Sequence, residues 1–330
     1  MRIAVVGGGS WGTVFAALVA EGGHAVTLVC RDPGQASAIA ETGRNPRYMR
    51  EVDLSGVTAT ADAEAAADVE LICVAVPSRA FREVVAALPA TAPLLSLAKG
   101  LDPSTGERLS RVVQGRPVGV LSGPNHAEEI AARLPAAAVI ASEDEELALR
   151  LQHDLISPRF RLYLNTDLVG VELCAAAKNV MALAAGAVDG LGLGDNAKAA
   201  LVARGLAEMT RLGEACGARP ETFAGLAGMG DLVVTCWSRH SRNRRAGELI
   251  ARGASPEQAL AEIGMVVEGL TTAPVLRDLS RRLGIELPLT EAVCAVLGGA
   301  SLAELIAGLM ERPPTGEYEG FGSLSRHGAP

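Results

Sequence analysis

Through its first half the chain alternates short apolar runs with amphipathic stretches. Seven runs read as strands: "RIAVVG" from Arg2, "AVTLVC" from Ala25, "VELICVAVP" from Val69, "APLLSLAKG" from Ala92, "RPVGVLSG" from Arg116, "PAAAVIAS" from Pro135 and "RFRLYLN" from Arg159. Several are apolar at every position, the pattern of strands covered by helices on both faces. Strand runs separated by helical periods predict a parallel sheet with crossover helices. After Asn165-Thr166-Asp167, a capping cluster, the period changes and only helical patterns follow. They begin with "LVGVELCAAAKNVMALAAGAV" and run through "NAKAALVARGLAEMTRLGEAC", "SRNRRAGELIARG", "SPEQALAEIG", "TTAPVLRDLSRRLG" and "LTEAVCAVLGG". The expected fold is α/β, an N-terminal Rossmann-type doubly wound sheet over residues 1–165 followed by an all-α C-terminal domain over residues 166–330. The closing "GFGSLSRHGAP" carries no pattern and reads as a loose tail.

Composition refines this picture. Of 330 residues only 3% are aromatic while 37 are glycine, so the interior is expected to rely on small side chains and close helix contacts. A formal net charge of -8 and a sequence pI near 5.3 argue against a broad nucleic-acid surface. No uninterrupted apolar run approaches the length of a membrane span, and the start "MRIAVVGGG" enters a strand without a leader. A cytoplasmic protein is expected. Cys30, Cys73, Cys174, Cys216, Cys236 and Cys294 stand singly in apolar surroundings, as reduced core residues, and no metal-ligand spacing is present.

Candidate chemistry begins at "VVGGGSWGT", where Gly7-x-Gly9-x-x-Gly12 lies between a strand and the helical "TVFAALVAEGG". The three glycines suit a tight turn, a close approach of backbone to a pyrophosphate, and close helix-to-strand packing. The following helix start supplies an anion site. A dinucleotide is the expected cofactor. The second strand ends at Cys30, where an NAD site would offer an acidic residue to the ribose; Arg31 and Asp32 come instead. An arginine there suits a 2′-phosphate, so NADPH is favoured over NADH, with a solvated loop residue as the alternative for Arg31.

Two further strand ends carry polar groups toward the crevice of such a sheet: Lys99 before Gly100, and Gly123-Pro124-Asn125 before a helix start. In the apolar helix after Asp167, Lys178 stands among alanines. It either reaches out to solvent or sits in a partly dry cleft, where a lowered pKa would let it exchange a proton with an alcohol or ketone oxygen. Asp231 lies in "LAGMGDLVVTC", read as a glycine-rich turn. Shortly after comes "SRHSRNRRAGELI", with Arg239, His240, Arg242, Arg244 and Arg245 crowded around a helix start capped by Ser241. Cations there oppose the helix dipole unless an anion is present. Ser241, Arg242 and Asn243 form a hydroxyl, guanidinium and amide grip suited to a phosphate, while Arg239, Arg244 and Arg245 read as solvated surface.

Taken in order, "GGGSWGT", "LAKG", "SGPNHAEE", "AAAKN", "GMGDLVVTC" with "SRNRRAGE", and "VVEG" resemble the bacterial NAD(P)-dependent sn-glycerol-3-phosphate dehydrogenases, over residues 1 to about 315. The resemblance implies reversible reduction of dihydroxyacetone phosphate to sn-glycerol 3-phosphate, feeding glycerophospholipid synthesis. It implies Lys178 as the proton donor and acceptor. It places Lys99, Gly123, Asn125, Asp231, Ser241, Arg242 and Asn243 at the substrate, and Ser10, Trp11, Arg31, Lys99, Ala127, Arg242, Val266 and Glu268, beside Gly7, Gly9 and Gly12, at the cofactor. Asn125 stands where the family mainly carries Ser or Thr, and Glu268 either meets the cofactor ribose or caps a turn. The partner is then a small phosphorylated triose, and the apolar helical half is compatible with a homodimer. Two other readings stay open on the residues alone. A related NAD(P)-dependent β-hydroxyacid dehydrogenase would need a carboxylate site, which the sequence does not display. A non-catalytic dinucleotide-sensing module would not need Lys178 or Asp231.

Overall fold

The computed structural model describes residues 1–89, 92–302 and 304. The tail read as loose lies outside them. Eight strands form one sheet: β1 Arg2–Val6, β2 Ala25–Val29, β3 Val57–Thr60, β4 Leu71–Val74, β5 Leu94–Ser96, β6 Val118–Ser122, β7 Ala136–Ser142 and β8 Phe160–Asn165. Their order is β3-β2-β1-β4-β5-β6-β7-β8. Why the strands read as unbroken apolar runs is plain in β1. Ile3 and Val5 enter one core with Leu28 and Phe15, while Ala4 and Val6 enter the other with Ile72, Val74 and Phe81. Both faces are covered, so neither needs polar residues.

Two features depart from the sequence expectation. β3, "VTAT", is a short edge strand without an apolar run, and its pattern gives no strand signal. β7 runs antiparallel to β6, with β8 parallel to β7, so the sheet is not parallel throughout. The connection from β6 to β7 contains only the five-residue helix Ala127–Ala131. A helix of that length advances about 7.5 Å, less than half of the roughly 17 Å that a return along a five-residue strand covers for a parallel neighbour. The chain therefore folds back on itself.

β1 lies between β2 and β4, and the chain crosses from the β3 side to the β4 side, leaving a crevice at the strand ends. Gly7 follows β1 there, with Ala75 from the end of β4 directly against it.

The second half is built around the helix Leu168–Gly190. Asp167 caps it, accepting from Gly170 N at 2.9 Å and tying in Thr222 and Arg219 through its other oxygen. By length and composition this helix could cross a membrane, but 89% of its most apolar window is buried inside the protein. It carries Glu172, Lys178 and Asp189. Leu168 and Val171 pack with Val120 of β6 and Val139 of β7, and later turns pack on the other helices. Small residues permit close backbone approach: a Cβ at Gly186 would lie 1.8 Å from the Arg244 carbonyl oxygen, and one at Gly247 would lie 1.9 Å from that of Leu183. The helix Arg242–Ala251 thus meets the central helix backbone to backbone.

The stretch around Asp231 also differs from its reading as a turn. Leu226–Gly230 is a wide π-helical turn, and Asp231 opens the helix Asp231–Trp237. Glycines obscure helical periodicity, yet here they are what allows the close packing, since a Cβ at Gly228 would lie 2.1 Å from the Phe223 carbonyl oxygen. Such π turns recur at functional sites.

Candidate active site

Lys99, beyond β5, and Lys178, in the central helix, meet on one carboxylate. Asp231 Oδ2 accepts from Lys99 Nζ at 2.9 Å and Oδ1 accepts from Lys178 Nζ at 2.5 Å. Lys99 also donates to the Gly123 carbonyl at 3.0 Å and to Asn125 Oδ1 at 2.7 Å. Lys178 donates to Thr235 Oγ1 at 3.0 Å, and the Thr235 hydroxyl in turn donates to the Asp231 carbonyl. Of the three ammonium donors of Lys178, two have these partners and one is left for a ligand.

The electrostatics follow from burial. Lys178 is 4% exposed. Desolvation pulls its pKa down to about 7 against the attraction of Asp231, with Lys99 pushing in the same direction as burial. Burial raises the Asp231 carboxyl, but Lys178 and Lys99 outweigh it and hold that group below the usual carboxylate range. Asp231 is therefore a fixed anion, while Lys178 is able to change charge near neutrality. Two side-chain nitrogens in the same wall, Asn125 Nδ2 and His126 Nε2, are buried without a partner. Burial, with Lys178 and Lys99, pushes the His126 ring down to about 4, so it is neutral. Buried polar groups are seldom left unpaired, and orphans beside a lysine with a spare proton mark a place for a ligand rich in oxygen.

The three residues read as a phosphate grip, Ser241, Arg242 and Asn243, lie together at the start of the helix Arg242–Ala251. Ser241 caps it, its hydroxyl accepting from Arg244 N at 3.2 Å. Arg242 is exposed and donates to the Val266 carbonyl at 2.9 Å. Asn243 is held inward: its amide donates to Asn179 Oδ1 at 2.9 Å and its oxygen accepts from Gly269 N at 2.8 Å. Since Asn179 follows Lys178, the grip is tied to the lysine centre through one side-chain contact. His240 adds another link, its ring centroid 6.4 Å from that of His126. Arg239 and Arg245 are exposed as expected, the latter paired with Glu262 at 2.9 Å. Arg244 is not: its side chain is 17% exposed and bound to Asp189.

At the glycine loop, Gly7 has φ of +116°, and a Cβ there would lie 2.5 Å from the Ala75 carbonyl oxygen. A Cβ at Gly12 would lie 1.9 Å from the Gly7 carbonyl oxygen, whereas one at Gly9 would meet nothing within 4 Å. The first and third glycines are thus required by packing and the second opens on space, the form a pyrophosphate cradle needs. Gly9 precedes the helix Ser10–Glu21 without a side-chain cap, so its first amides are unclaimed by any side chain. Trp11 packs on Phe15 and Phe160 and leaves its buried indole N–H without a partner. Arg31 is exposed at the end of β2. Asp32 is committed elsewhere, capping the helix Pro33–Thr42 through Gly34 N at 2.9 Å and pairing with Arg47 at 3.6 Å. Ala127, 8% exposed, opens its short helix. Glu268 accepts from Ser78 N at 3.0 Å and from the Ser78 hydroxyl at 2.6 Å. In this structure it caps the helix Ser78–Ala86 and joins the two halves.

The model of the NAD-dependent glycerol-3-phosphate dehydrogenase N-terminus matches residues 2–148, and that of the C-terminus matches residues 167–307. The chain belongs to the NAD-dependent glycerol-3-phosphate dehydrogenase family. A glycerol-3-phosphate dehydrogenase [NAD(P)+] of Moorella thermoacetica is 47% identical, covering 96% of this chain and 98% of the relative. One from Thermoanaerobacter sp. is 46% identical over 97% and 100%. The crystal structure of glycerol-3-phosphate dehydrogenase from Coxiella burnetii superposes with a TM-score of 0.90 at 38% identity, covering 94% of this chain and 99% of that one.

Around the glycerol-3-phosphate dehydrogenase site the structure also brings in residues the sequence reading passed over. Thr235 lies one turn beyond Asp231, a signal available only once that stretch is seen to be helical. Asn179 carried a signal as the neighbour of Lys178 on a buried helix. Asn45, fully buried, donates to the Gly8 carbonyl at 3.0 Å and to Thr13 Oγ1 at 2.7 Å, and Gln35 donates to the same carbonyl at 2.6 Å. Both hold the glycine loop from a distant stretch of chain, and no local pattern announces them.

Proposed function

We propose that this chain catalyses the reversible, NAD(P)H-dependent reduction of dihydroxyacetone phosphate to sn-glycerol 3-phosphate, the backbone of glycerophospholipids. The observation that carries the reading is the array of Lys99, Asp231 and Lys178 around a single carboxylate, with one Lys178 proton unassigned. A bound nicotinamide supplies or accepts the hydride at substrate C2. The chain's own residues do the rest. Lys178 gives a proton to the C2 oxygen during reduction and takes it back during oxidation, a role for which a pKa near operating pH is suited. Asp231 and Thr235 orient the Lys178 ammonium, and Lys99, fixed by the Gly123 carbonyl and Asn125, adds positive field at the oxygen that becomes an alkoxide. Ser241, Arg242 and Asn243 hold the phosphate.

The residues present fit a dinucleotide, with Gly9 and the first amides of the helix Ser10–Glu21 at the pyrophosphate, and the family resemblance adds Ser10, Trp11, Ala127, Val266 and Glu268 to the residues that would hold it. Arg31 stands free for a 2′-phosphate while Asp32 is engaged in capping, which supports NADPH over NADH. On this reading residues 1–165 form the dinucleotide-binding domain and residues 166–330 the helical substrate and catalytic domain of a cytoplasmic homodimer, with Lys99 and Asn125 reaching the substrate from the first and Val266 and Glu268 reaching the cofactor from the second. Oxidation of NADPH and of NADH by dihydroxyacetone phosphate, followed side by side by the absorbance of the reduced nicotinamide, is expected to proceed with both and with the larger kcat/KM for NADPH. No oxidation with either cofactor overturns the assignment.

A further inference from the structure

One arginine of the basic stretch is unused by the phosphate reading and is nonetheless held more firmly than the rest. Asp189, near the end of the central helix, accepts from Lys198 Nζ at 2.9 and 2.8 Å and from Arg244 Nη1 at 2.5 Å. The same guanidinium nitrogen lies 3.4 Å from Glu248 Oε2, and Arg244 Nε donates back to the Ser238 carbonyl at 3.2 Å. Lys198 is 4% exposed, and its ammonium lies 5.1 Å from the ring centre of Trp237. A single guanidinium thus spans the central helix, its own helix and the loop that leads into Ser241. Its charge is met by Asp189 and Glu248 and is not available to a substrate. What it fixes is the path of residues 238–241. The rest of the helix is set by the glycine contacts at Gly186, Gly190 and Gly247, each bringing it against the central helix. Those contacts lock the body of the helix, and the Arg244 side chain ties the Ser238 carbonyl of the incoming loop to the same frame.

We infer that Arg244, anchored by Asp189 and Lys198, is the positioning residue of the phosphate grip. It holds the Ser238 carbonyl so that Ser241 and Arg242 meet the substrate phosphate in one geometry. The inference rests on the phosphate reading above. The phosphate does not react, so a displaced grip removes binding that ground and transition states share, and the effect belongs in the Michaelis constant for the phosphorylated substrate. Lysine in place of Arg244 reaches Asp189 but lacks the planar fork that holds Ser238 at the same time.

Steady-state kinetics with dihydroxyacetone phosphate and with unphosphorylated dihydroxyacetone test this in Arg244→Met, Arg244→Lys, Asp189→Asn, Arg242→Ala and the Arg242→Ala/Arg244→Met double variant. For Arg244→Met, KM for the phosphorylated substrate is expected to rise roughly tenfold or more with kcat nearly kept, and kcat/KM for dihydroxyacetone to stay level. Arg244→Lys and Asp189→Asn are expected to fall between it and the parent, and the double variant to lose little beyond Arg242→Ala alone. Equal losses on both substrates, or losses that add in full to those of Arg242→Ala, overturn the positioning role. If Arg244→Met does not fold, the lysine and asparagine variants carry the same comparison. Arg242→Ala discriminating between the substrates while the Arg244 variants do not would defeat this inference alone; Arg242→Ala failing to discriminate would defeat the phosphate reading and this inference with it.

Discussion

The molecule twice builds the same motif, an aspartate shared by two cations, fully buried at Asp231 and half-buried at Asp189, and uses it for different ends. At Asp231 the cations are Lys99 and Lys178; at Asp189 they are Lys198 and Arg244. The second cluster is closed. Glu248 supplies another negative charge, the Ser238 carbonyl takes the remaining reach of Arg244, and Trp237 covers Lys198. The first is open on one side. It has an unassigned Lys178 proton and unpartnered nitrogens on Asn125 and His126 beside it. A satisfied cluster holds elements together, whereas one left incomplete has a place for a ligand. The choice of cation matters as well: lysine gives up its proton when desolvated, and arginine in a protein does not.

The largest break in that comparison is at Lys178. Lys178→Ala is expected to lower kcat in both directions by about 10²- to 10⁴-fold, with cofactor affinity by fluorescence titration nearly unchanged. Lys178→Arg should be no better, although it keeps the charge, because it cannot transfer the proton. Retained turnover in either folded variant removes Lys178 from the chemistry. A smaller effect comes from pH. With Lys178 at about 7 in the free enzyme, reduction needs the protonated form and oxidation the neutral one. Above about pH 7, where the substrate phosphate is already dianionic, kcat/KM for reduction should fall by about tenfold per unit. For oxidation it should rise up to that pH and then level. Profiles of the same slope in both directions would contradict a single titrating lysine.

The two clusters were not equally legible in the sequence. Lys178 stood out because a lysine among alanines is conspicuous on a helix with apolar residues nearly all round. Asp231 and the Ser241–Asn243 group carried local signals, although the π-helical turn before Asp231 was hidden by its glycines. Asp189 and Lys198 gave none, since each lies at the edge of a helical pattern where a charge is ordinarily solvated. Arg244 was read as surface for the same reason: its partner is 55 residues away, and nothing within its own stretch points there. The sheet shows the same division. Apolar runs, several of them unbroken, disclosed seven strands, but the edge strand β3 and the reversal at β7 depend on pairing and connection length, which a local pattern does not contain.

Trp237 marks the fine end of the comparison. It is 42% exposed and contributes to the Asp189 cluster only by lying over Lys198. A cation over an indole face at a partly exposed position is worth about 0.5–1 kcal/mol. Trp237→Leu keeps an apolar cover of smaller area and removes the ring quadrupole. It is therefore expected to lower stability in urea unfolding by about that amount, while kcat and the KM for dihydroxyacetone phosphate stay at the parent values. Asp189, Arg244 and the Ser238 carbonyl remain in place without the ring, so the loop leading to Ser241 keeps its anchor. A fall in kcat comparable to that of Lys178→Ala would show that the closed cluster takes part in the reaction itself, and the distinction between the two aspartates would then fail.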